Sequence, residues 1–400
     1  MFSRKRLFFT KSIDKGYTND PIESVKAMVS LIQQFVGIRN MFGDENSSFS
    51  ILSLLKMLLF GGSFVYVGSL SQLIYLVRVF PDKMETFKAL NCISATCVPL
   101  SKYVFMWSVR TRLRTIFVMS KQGLSAIESD TTGYSKMIRT LKTARSASWF
   151  VIINQSVTHV IYLLIPFLFT IFGNIRYLPT TPGETYGLTP KYETPYYEIT
   201  FMLTCFATIF SAVNQTGYIV LFINLLAHEL GHFYVITDVL NGIFEKNDAD
   251  RDPVFIDRKL KFCAKHYQYL LKFHNEIKNL YKIIFGAHFL MMTIVLVTTL
   301  QTMNSWDIRN TVLTAVTGIM PLFIYCFGGE LLITAGMDMS TAIYQCGWEK
   351  MGVKQAKVVS VILCLSQRPL CLTAANVFVM NRETFGGIAQ VVYKIYAVFN

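Results

Sequence analysis

The feature that most constrains this chain is a series of seven apolar stretches. Each is close to the roughly 20 residues that a helix needs to cross a bilayer. Apolar residues make up 52% of the chain and charged residues 16%, which suits a multi-pass membrane protein better than a soluble domain. We therefore predict an all-α fold with seven transmembrane helices. The predicted spans are Ile51 to Val77, Ala89 to Val109, Ser148 to Phe172, Ile199 to Leu221, Ile283 to Met303, Thr311 to Thr334 and Glu383 to Phe399.

The distribution of lysine and arginine predicts the orientation of these spans. Basic residues are concentrated between spans 2 and 3, between spans 4 and 5, and between spans 6 and 7, whereas the alternate segments carry few. The positive-inside rule then places the N-terminus in the cytoplasm and the C-terminus outside. The basic residues between spans 4 and 5 are interspersed with aspartates, so the net charge of +13 does not indicate a nucleic-acid partner.

Long proline-free stretches predict helices that continue beyond the membrane. The stretch from Ile199 to Phe244 could form one helix of about 65 Å, twice a bilayer. We therefore divide the chain into a cytoplasmic N-terminal segment and three further parts. The expected parts are 1–50, the first six spans with a ligand pocket and cytoplasmic extensions (51–334, with the extensions at 223–282), cytoplasmic assembly helices (335–367) and a pore-lining terminal segment (368–400).

Polar residues near the middle of spans 3 and 4 either join helices by hydrogen bonds or surround a ligand cavity. They include Asn154, Gln155, His159, Asn214 and Gln215. The outer halves of spans 3, 4 and 6 add aromatic, methionine and hydroxyl side chains, which fit simple packing and also fit a small apolar or volatile ligand. The candidate ligand residues are Tyr162, Phe167, Phe201, Met202, Phe206, Thr314, Thr317 and Met320.

One motif points to a different chemistry. His228-Glu229-Leu230-Gly231-His232 has the H-E-x-x-H pattern, which places two histidines on one helical face to bind zinc and supplies a glutamate as general base. A zinc enzyme also needs a third protein ligand, and the extended metzincin pattern is missing because Val235 occupies the position of its glycine. The alternative interpretation is that the three side chains pack or form hydrogen bonds within the cytoplasmic helices.

The last apolar segment has two different faces. Phe385, Ile388, Val392, Ile395 and Phe399 form an apolar stripe, and Gln390, Tyr393, Lys394, Ala397 and Asn400 form a second, more polar stripe. A helix that only anchors the chain in lipid has little need for a polar stripe. If several copies met at an axis, the mixed face would line a conduction path that an outer apolar ring closes by dewetting.

The C-terminal part resembles the signature of insect odorant receptors. The matching residues are Tyr344-x-x-x-Trp348, Arg368-Pro369-Leu370, Glu383-Thr384-Phe385, Ile388 and the segment from Tyr393 to Phe399. The resemblance implies an odorant-gated, non-selective cation channel of four subunits in the plasma membrane of a sensory neuron, each with a pocket for a small volatile ligand. The short segment between spans 4 and 5 resembles that of a tuning subunit, which implies the olfactory coreceptor as its partner and no cofactor.

The same resemblance assigns roles to individual residues. It implies pore or gate positions at Tyr393, Tyr396, Phe399 and Asn400, and cytoplasmic assembly positions at Tyr344 and Trp348. Lys394 departs from what a cation pore favours, unless its long side chain turns outward or the coreceptor subunits dilute its charge. A gustatory-type channel and a membrane zinc protease are the alternatives. A transporter is disfavoured because the sequence shows no inverted repeat.

Overall fold

The protein is described by a computed structural model that covers residues 21–38, 50–127, 132–173, 176–178, 185–243, 253–303 and 308–399. Almost all of these residues are helical. A π-helical segment, Phe64–Leu70, joins α2 to α3, and a short 3-10 helix, Trp348–Lys350, precedes α10. The α-helices are α1 Pro21–Gln34, α2 Ile51–Ser63, α3 Ser71–Val79, α4 Lys83–Ser108, α5 Arg110–Ser125, α6 Thr132–Gly173, α7 Tyr196–Asn241, α8 Pro253–Thr302, α9 Ile308–Tyr344, α10 Val353–Ser366 and α11 Arg382–Phe399.

The predicted count of seven spans is not reproduced by the described helices. Five helical stretches are long and apolar enough to cross a bilayer, and a sixth results if α4 and α5, which meet at a bend of 71°, are counted as one span. The predicted seventh span, α11, is helical, but its 18 residues include Arg382, Glu383 and Lys394. These charges make α11 too polar to count as a span by composition alone.

Burial distinguishes the central helix from the helices that face lipid. In the most apolar window of α7, 89% of the residues are buried, compared with 11% in the corresponding window of α6. A helix that is apolar on all sides is stable in the middle of a bundle, and α7 packs against α2, α4, α6, α8 and α9. The exposed apolar side chains of α6, such as Phe150 and Phe172, are suited to contact with lipid.

The predicted long helices are present. α7 has 46 residues and α8 has 50, so their lengths are about 69 and 75 Å at 1.5 Å per residue. The hydrocarbon core is only about 30 Å thick. Large parts of both helices therefore lie outside it. The two helices pack against each other, both pack against α9, and α8 also packs against α10. The roles assigned to the four parts of the chain remain predictions.

A small β-hairpin connects α10 to α11. Helix α10 ends at Ser366, shortly before Pro369, and strands β1 (Thr373–Ala374) and β2 (Phe378–Val379) pair antiparallel. The hairpin is attached to α8 by the backbone N–H of Ala375, which donates to the carbonyl of Lys282 at 2.7 Å. Leu372, Ala374 and Met380 are buried. The start of α11 is therefore held by the packing of the hairpin on α8 and α9.

Candidate functional site

A cavity of about 200 Å³ lies among the membrane helices. Its walls come from the π-helical segment and α3, α4, α6, α7, α8 and α9. The π-helical segment contributes Phe64, Val67 and Gly68. One π turn widens a helix locally and is often found at functional sites. It lies here inside the predicted first span, where the apolar pattern gave no sign of an irregularity.

The lining combines apolar surface with many short polar side chains. A methyl group added to Gly68 would lie 2.8 Å from Cγ2 of Thr96, so this glycine permits a close approach between the π-helical segment and α4. The same contact carries a hydrogen bond from the Thr96 hydroxyl to the Gly68 carbonyl at 3.0 Å. Other polar lining residues are Gln72, Asn91, Thr158, His159, Thr204, Thr208, Ser211, Gln215, Thr314 and Thr317.

Asn91 joins two walls of the cavity. Its side-chain nitrogen donates to the carbonyl of Val295 at 3.0 Å and approaches the hydroxyls of Thr298 and Thr299 at 2.9 and 2.8 Å. Asn91 is buried. A buried amide of this kind fixes α4 against α8, because separation would leave several polar groups without partners.

The structure brings three of the eight candidate ligand residues, Tyr162, Thr314 and Thr317, to the cavity. The remaining five lie elsewhere. Phe167 and Phe201 stack at 6.5 Å between ring centroids, and Met202 is 53% exposed on the surface of the single chain. Phe206 packs edge-on against Phe60, and the sulfur of Met320 accepts a hydrogen bond from Asn154 at 3.0 Å. These five are not part of the lining, and their predicted role in ligand binding is not tested by their positions alone.

The sequence-based choice missed most of the polar lining. Asn91 and Thr96 lie in the second span, and Gln72 lies at the end of the first. A polar residue within an apolar span was a usable signal at Asn91, as it was at His159 and Gln215. The choice favoured aromatic residues of the outer halves of spans 3, 4 and 6, although helix depth does not determine which side of a helix faces a cavity.

The H-E-x-x-H motif is buried between α7 and α8. Nε2 of His232 lies 3.0 Å from Nε2 of His228, while its Nδ1 lies 2.8 Å from Nε2 of His266. Glu229 turns to the other side and contacts Nδ1 of His274 at 2.6 Å through Oε1. His232 thus directs its two nitrogens at different partners, and the three imidazoles do not converge on one point. Within the described residues, no group of three or more His, Cys, Asp and Glu side chains could hold a metal ion.

Helix α11 turns its predicted apolar stripe toward the bundle. Phe385 and Ile388 pack against the core, and Val392 is buried. On the other stripe Tyr393 is 68% exposed, and Lys394 is also exposed. The more polar face is therefore accessible in the single chain. The side chain of Phe399 and all of Asn400 lie outside the described part of the chain.

The predicted assembly residues lie at the end of α9 and in the 3-10 helix. Tyr344 is 63% exposed and Trp348 is 37% exposed. Val353, Val361 and Leu365 on the neighbouring α10 are also exposed. Large apolar side chains that are exposed close together mark surfaces for association.

Comparison with known proteins agrees with this architecture. The family model described as 7tm Odorant receptor matches residues 83–393. The relatives include Odorant receptor 10a of Drosophila melanogaster, 23% identical over 51% of this chain and 52% of that protein, and Odorant receptor 82a, 24% identical over 50% and 51%. The chain thus spans about half the length of these two relatives. It spans 91% of Odorant receptor 85c of the same species, at 22% identity over 86% of this chain.

The fold is similar to that of a solved insect receptor. The olfactory receptor OR5 from Machilis hrabei in complex with eugenol superimposes with a TM-score of 0.77 at 13% identity, over 95% of this chain and 99% of that one. The same receptor in a second structure gives a TM-score of 0.73. At this identity the similarity establishes the helical membrane fold.

Proposed function

Because the chain belongs to the 7tm odorant receptor family, we propose that it is the tuning subunit of an odorant-gated, non-selective cation channel, opened by a small volatile ligand in the cavity. The observation that carries the proposal is a cavity of about 200 Å³ among the membrane helices with a mixed polar and apolar lining. Sites for drug-sized ligands are about 300–1,000 Å³, so this cavity suits a smaller molecule. The family is one of receptors, and the chain is not an enzyme.

The packing of α11 offers a route from the cavity to a gate. α8 and α9 both line the cavity, and both pack against α11. Beyond the cavity, the side-chain amide of Gln301 on α8 donates to the carbonyl of Tyr396 on α11 at 3.3 Å. A ligand that binds better to one arrangement of α8 and α9 would therefore shift the position of α11, as differential binding requires.

We assign the pore to the exposed face of α11. Four subunits, this chain and the olfactory coreceptor together, would turn this face toward a common axis, with Tyr393 and Tyr396 as pore positions. The gate roles proposed for Phe399, which belongs to the apolar stripe, and for Asn400 rest on the resemblance to odorant receptors. The polar stripe lies opposite the stripe that packs on the bundle, which supports this orientation. Lys394 would stand near the axis, and its charge would be diluted by the coreceptor subunits.

The proposal is tested by expressing the chain in heterologous cells with and without an insect olfactory coreceptor and applying a panel of volatiles. We expect cation currents only with the coreceptor. Tyr162→Ala should change the half-maximal concentration by about tenfold, which corresponds to 1.4 kcal/mol. Phe167→Ala, outside the cavity, should change it by less than about threefold. Absence of current to every volatile, at normal surface expression of both subunits, would overturn the proposal.

The assembly surface gives a separate prediction. We expect the double variant Tyr344→Ala with Trp348→Ala to reduce the amount of coreceptor that copurifies with this chain by about tenfold or more, because large exposed aromatics carry much of the energy of an interface. Phe150→Ala removes an equally exposed aromatic from α6 and serves as the control. Equal recovery of coreceptor with both variants would show that the aromatic pair does not contribute to assembly.

A further inference from the structure

His159 lies in the cavity wall and has one ring nitrogen available as an acceptor. Its Nδ1 lies 2.7 Å from the carbonyl oxygen of Gln155, one turn earlier in α6. A carbonyl oxygen only accepts, so Nδ1 carries the ring proton. In a neutral imidazole the other nitrogen, Nε2, is then an acceptor. Among the described residues, no group donates to Nε2, and His159 is part of the cavity wall.

Four hydroxyl groups of the cavity lining donate their protons to backbone carbonyls. Thr158 donates to the Asn154 carbonyl at 2.8 Å, and Thr204 donates to the Thr200 carbonyl at 2.8 Å. The hydroxyls of Thr96 and Thr317 likewise donate to backbone carbonyls of neighbouring residues. Each of these oxygens retains a lone pair but has no second proton to give. These four hydroxyls therefore offer a ligand acceptors rather than donors.

Gln72 offers a further hydrogen-bond acceptor in the cavity lining. Its nitrogen is directed at the Val67 carbonyl at 3.5 Å, whereas its Oε1 is buried without a hydrogen-bond partner among the described residues. This residue also lines the cavity. A buried acceptor without a donor is unfavourable, and a small shift of the amide would let it accept from a ligand.

The lining is also uncharged. None of the described residues that line the cavity is an aspartate, glutamate, lysine or arginine, so nothing there compensates an ionised ligand. Tyr162 adds a phenol that can donate or accept. A ligand that both donates to Nε2 of His159 and accepts from Tyr162 uses both groups, and a hydroxyl does this with a single oxygen.

We propose that the cavity selects neutral volatiles that carry a hydroxyl group, alcohols or phenols, and that Nε2 of His159 accepts the proton of that hydroxyl. The inference rests on the proposed odorant-gated function and adds the ligand class. Aldehydes, ketones, esters and ethers offer only acceptors, so they would bring an oxygen lone pair against the lone pair of His159.

The test compares pairs of closely related aromatic ligands, one of each pair with a hydroxyl group, in cells that express this chain with the coreceptor. Benzyl alcohol is compared with benzaldehyde, and phenol with anisole. We expect half-maximal concentrations about tenfold lower for each hydroxyl compound, the contribution of about one hydrogen bond. His159→Phe should reduce this ratio to less than about threefold, while Phe150→Ala, on the exposed face of the same helix and outside the cavity, should preserve it.

The outcomes separate the two proposals. Currents without a hydroxyl preference in the unmodified chain would overturn this inference and leave the proposed channel intact, as would an unchanged ratio in His159→Phe. Absence of current to every volatile would overturn the proposed function and this inference with it. If His159→Phe fails to reach the surface, the ratio in the unmodified chain still decides whether hydroxyl selection exists.

Discussion

Replacing Gly329 with alanine is expected to abolish odorant-evoked current. Gly329 lies on α9 and is close to Met380, which stands two residues before the first residue of α11. A methyl group at Gly329 would lie 2.1 Å from the backbone oxygen of Met380 and 2.8 Å from its Cβ. Backbone cannot yield to such a contact as the end of a flexible side chain can. The segment before α11 would have to leave its place on α9.

Met380 has little freedom to move. It is buried, and its N–H donates to the Leu372 carbonyl across the hairpin at 2.9 Å. Helix α11 is fixed at its start by Glu330, the neighbour of Gly329, whose carboxylate accepts from the N–H of Arg382 at 3.2 Å. Overpacking destabilises a protein by about 1–3 kcal/mol when side chains can adapt. A clash with backbone should therefore destabilise it by about 3 kcal/mol or more. Displacement of α11 would disrupt the proposed pore.

Gly336→Ala is the matched control. It lies on the same helix, and its added methyl group would meet Phe233 at 3.8 Å, an ordinary contact distance. We expect normal currents from Gly336→Ala, since alanine also favours the helix. The measurement is the odorant-evoked current and the surface expression of both variants, each expressed with the coreceptor. Normal currents in Gly329→Ala would contradict the account of how the hairpin positions α11.

Replacing Glu229 with alanine is expected to destabilise the chain by about 3 kcal/mol. Glu229 is completely buried in α7, and its Oε1 contacts Nδ1 of His274 on α8 at 2.6 Å. Alanine would leave the buried imidazole of His274 without this partner and would open a cavity between two long helices. The effect should be a lower thermal midpoint of the purified protein in detergent and reduced delivery to the cell surface.

Two controls separate hydrogen bonding from other causes. Glu229→Gln keeps an oxygen that can accept from His274, so it should retain most of the stability that alanine loses. Glu276→Ala removes a more exposed carboxylate that lies 3.6 Å from Arg112, and exposed pairs contribute only about 0–1 kcal/mol. An equally small loss in Glu229→Ala and Glu276→Ala would show that the buried contact does not hold α7 to α8.

The H-E-x-x-H motif shows why a local pattern was ambiguous. Helical spacing correctly places His228 and His232 on one face, where their Nε2 atoms are 3.0 Å apart. Whether such a pair binds zinc depends on what faces it. Here α8 supplies His266 to His232 and His274 to Glu229, which directs the glutamate away from the histidines. These partners are more than thirty residues away in sequence, and no spacing rule links them.

The terminal segment was interpreted more successfully. Its apolar and polar stripes were predicted from helical periodicity, and Val392 is buried while Tyr393 is exposed. Periodicity works here because one face of a peripheral helix packs on the bundle. It fails for α7, whose residues are buried on almost all sides. The ligand residues assigned on α7 by depth alone, Phe201, Met202 and Phe206, accordingly lie away from the cavity lining.

The sequence by itself determined the membrane class, the long helices and the odorant receptor family. The first two follow from local properties, because a membrane forces each backbone polar group to be satisfied within its own helix and favours each apolar side chain separately. The family follows from the resemblance of the C-terminal motifs. Only the tertiary structure decided which side chains surround the cavity. That choice depends on the rotation of six neighbouring elements and on a π turn at Phe64–Leu70. The same packing placed His159 in the cavity wall, with Nδ1 bound to the Gln155 carbonyl, and brought Met380 against Gly329.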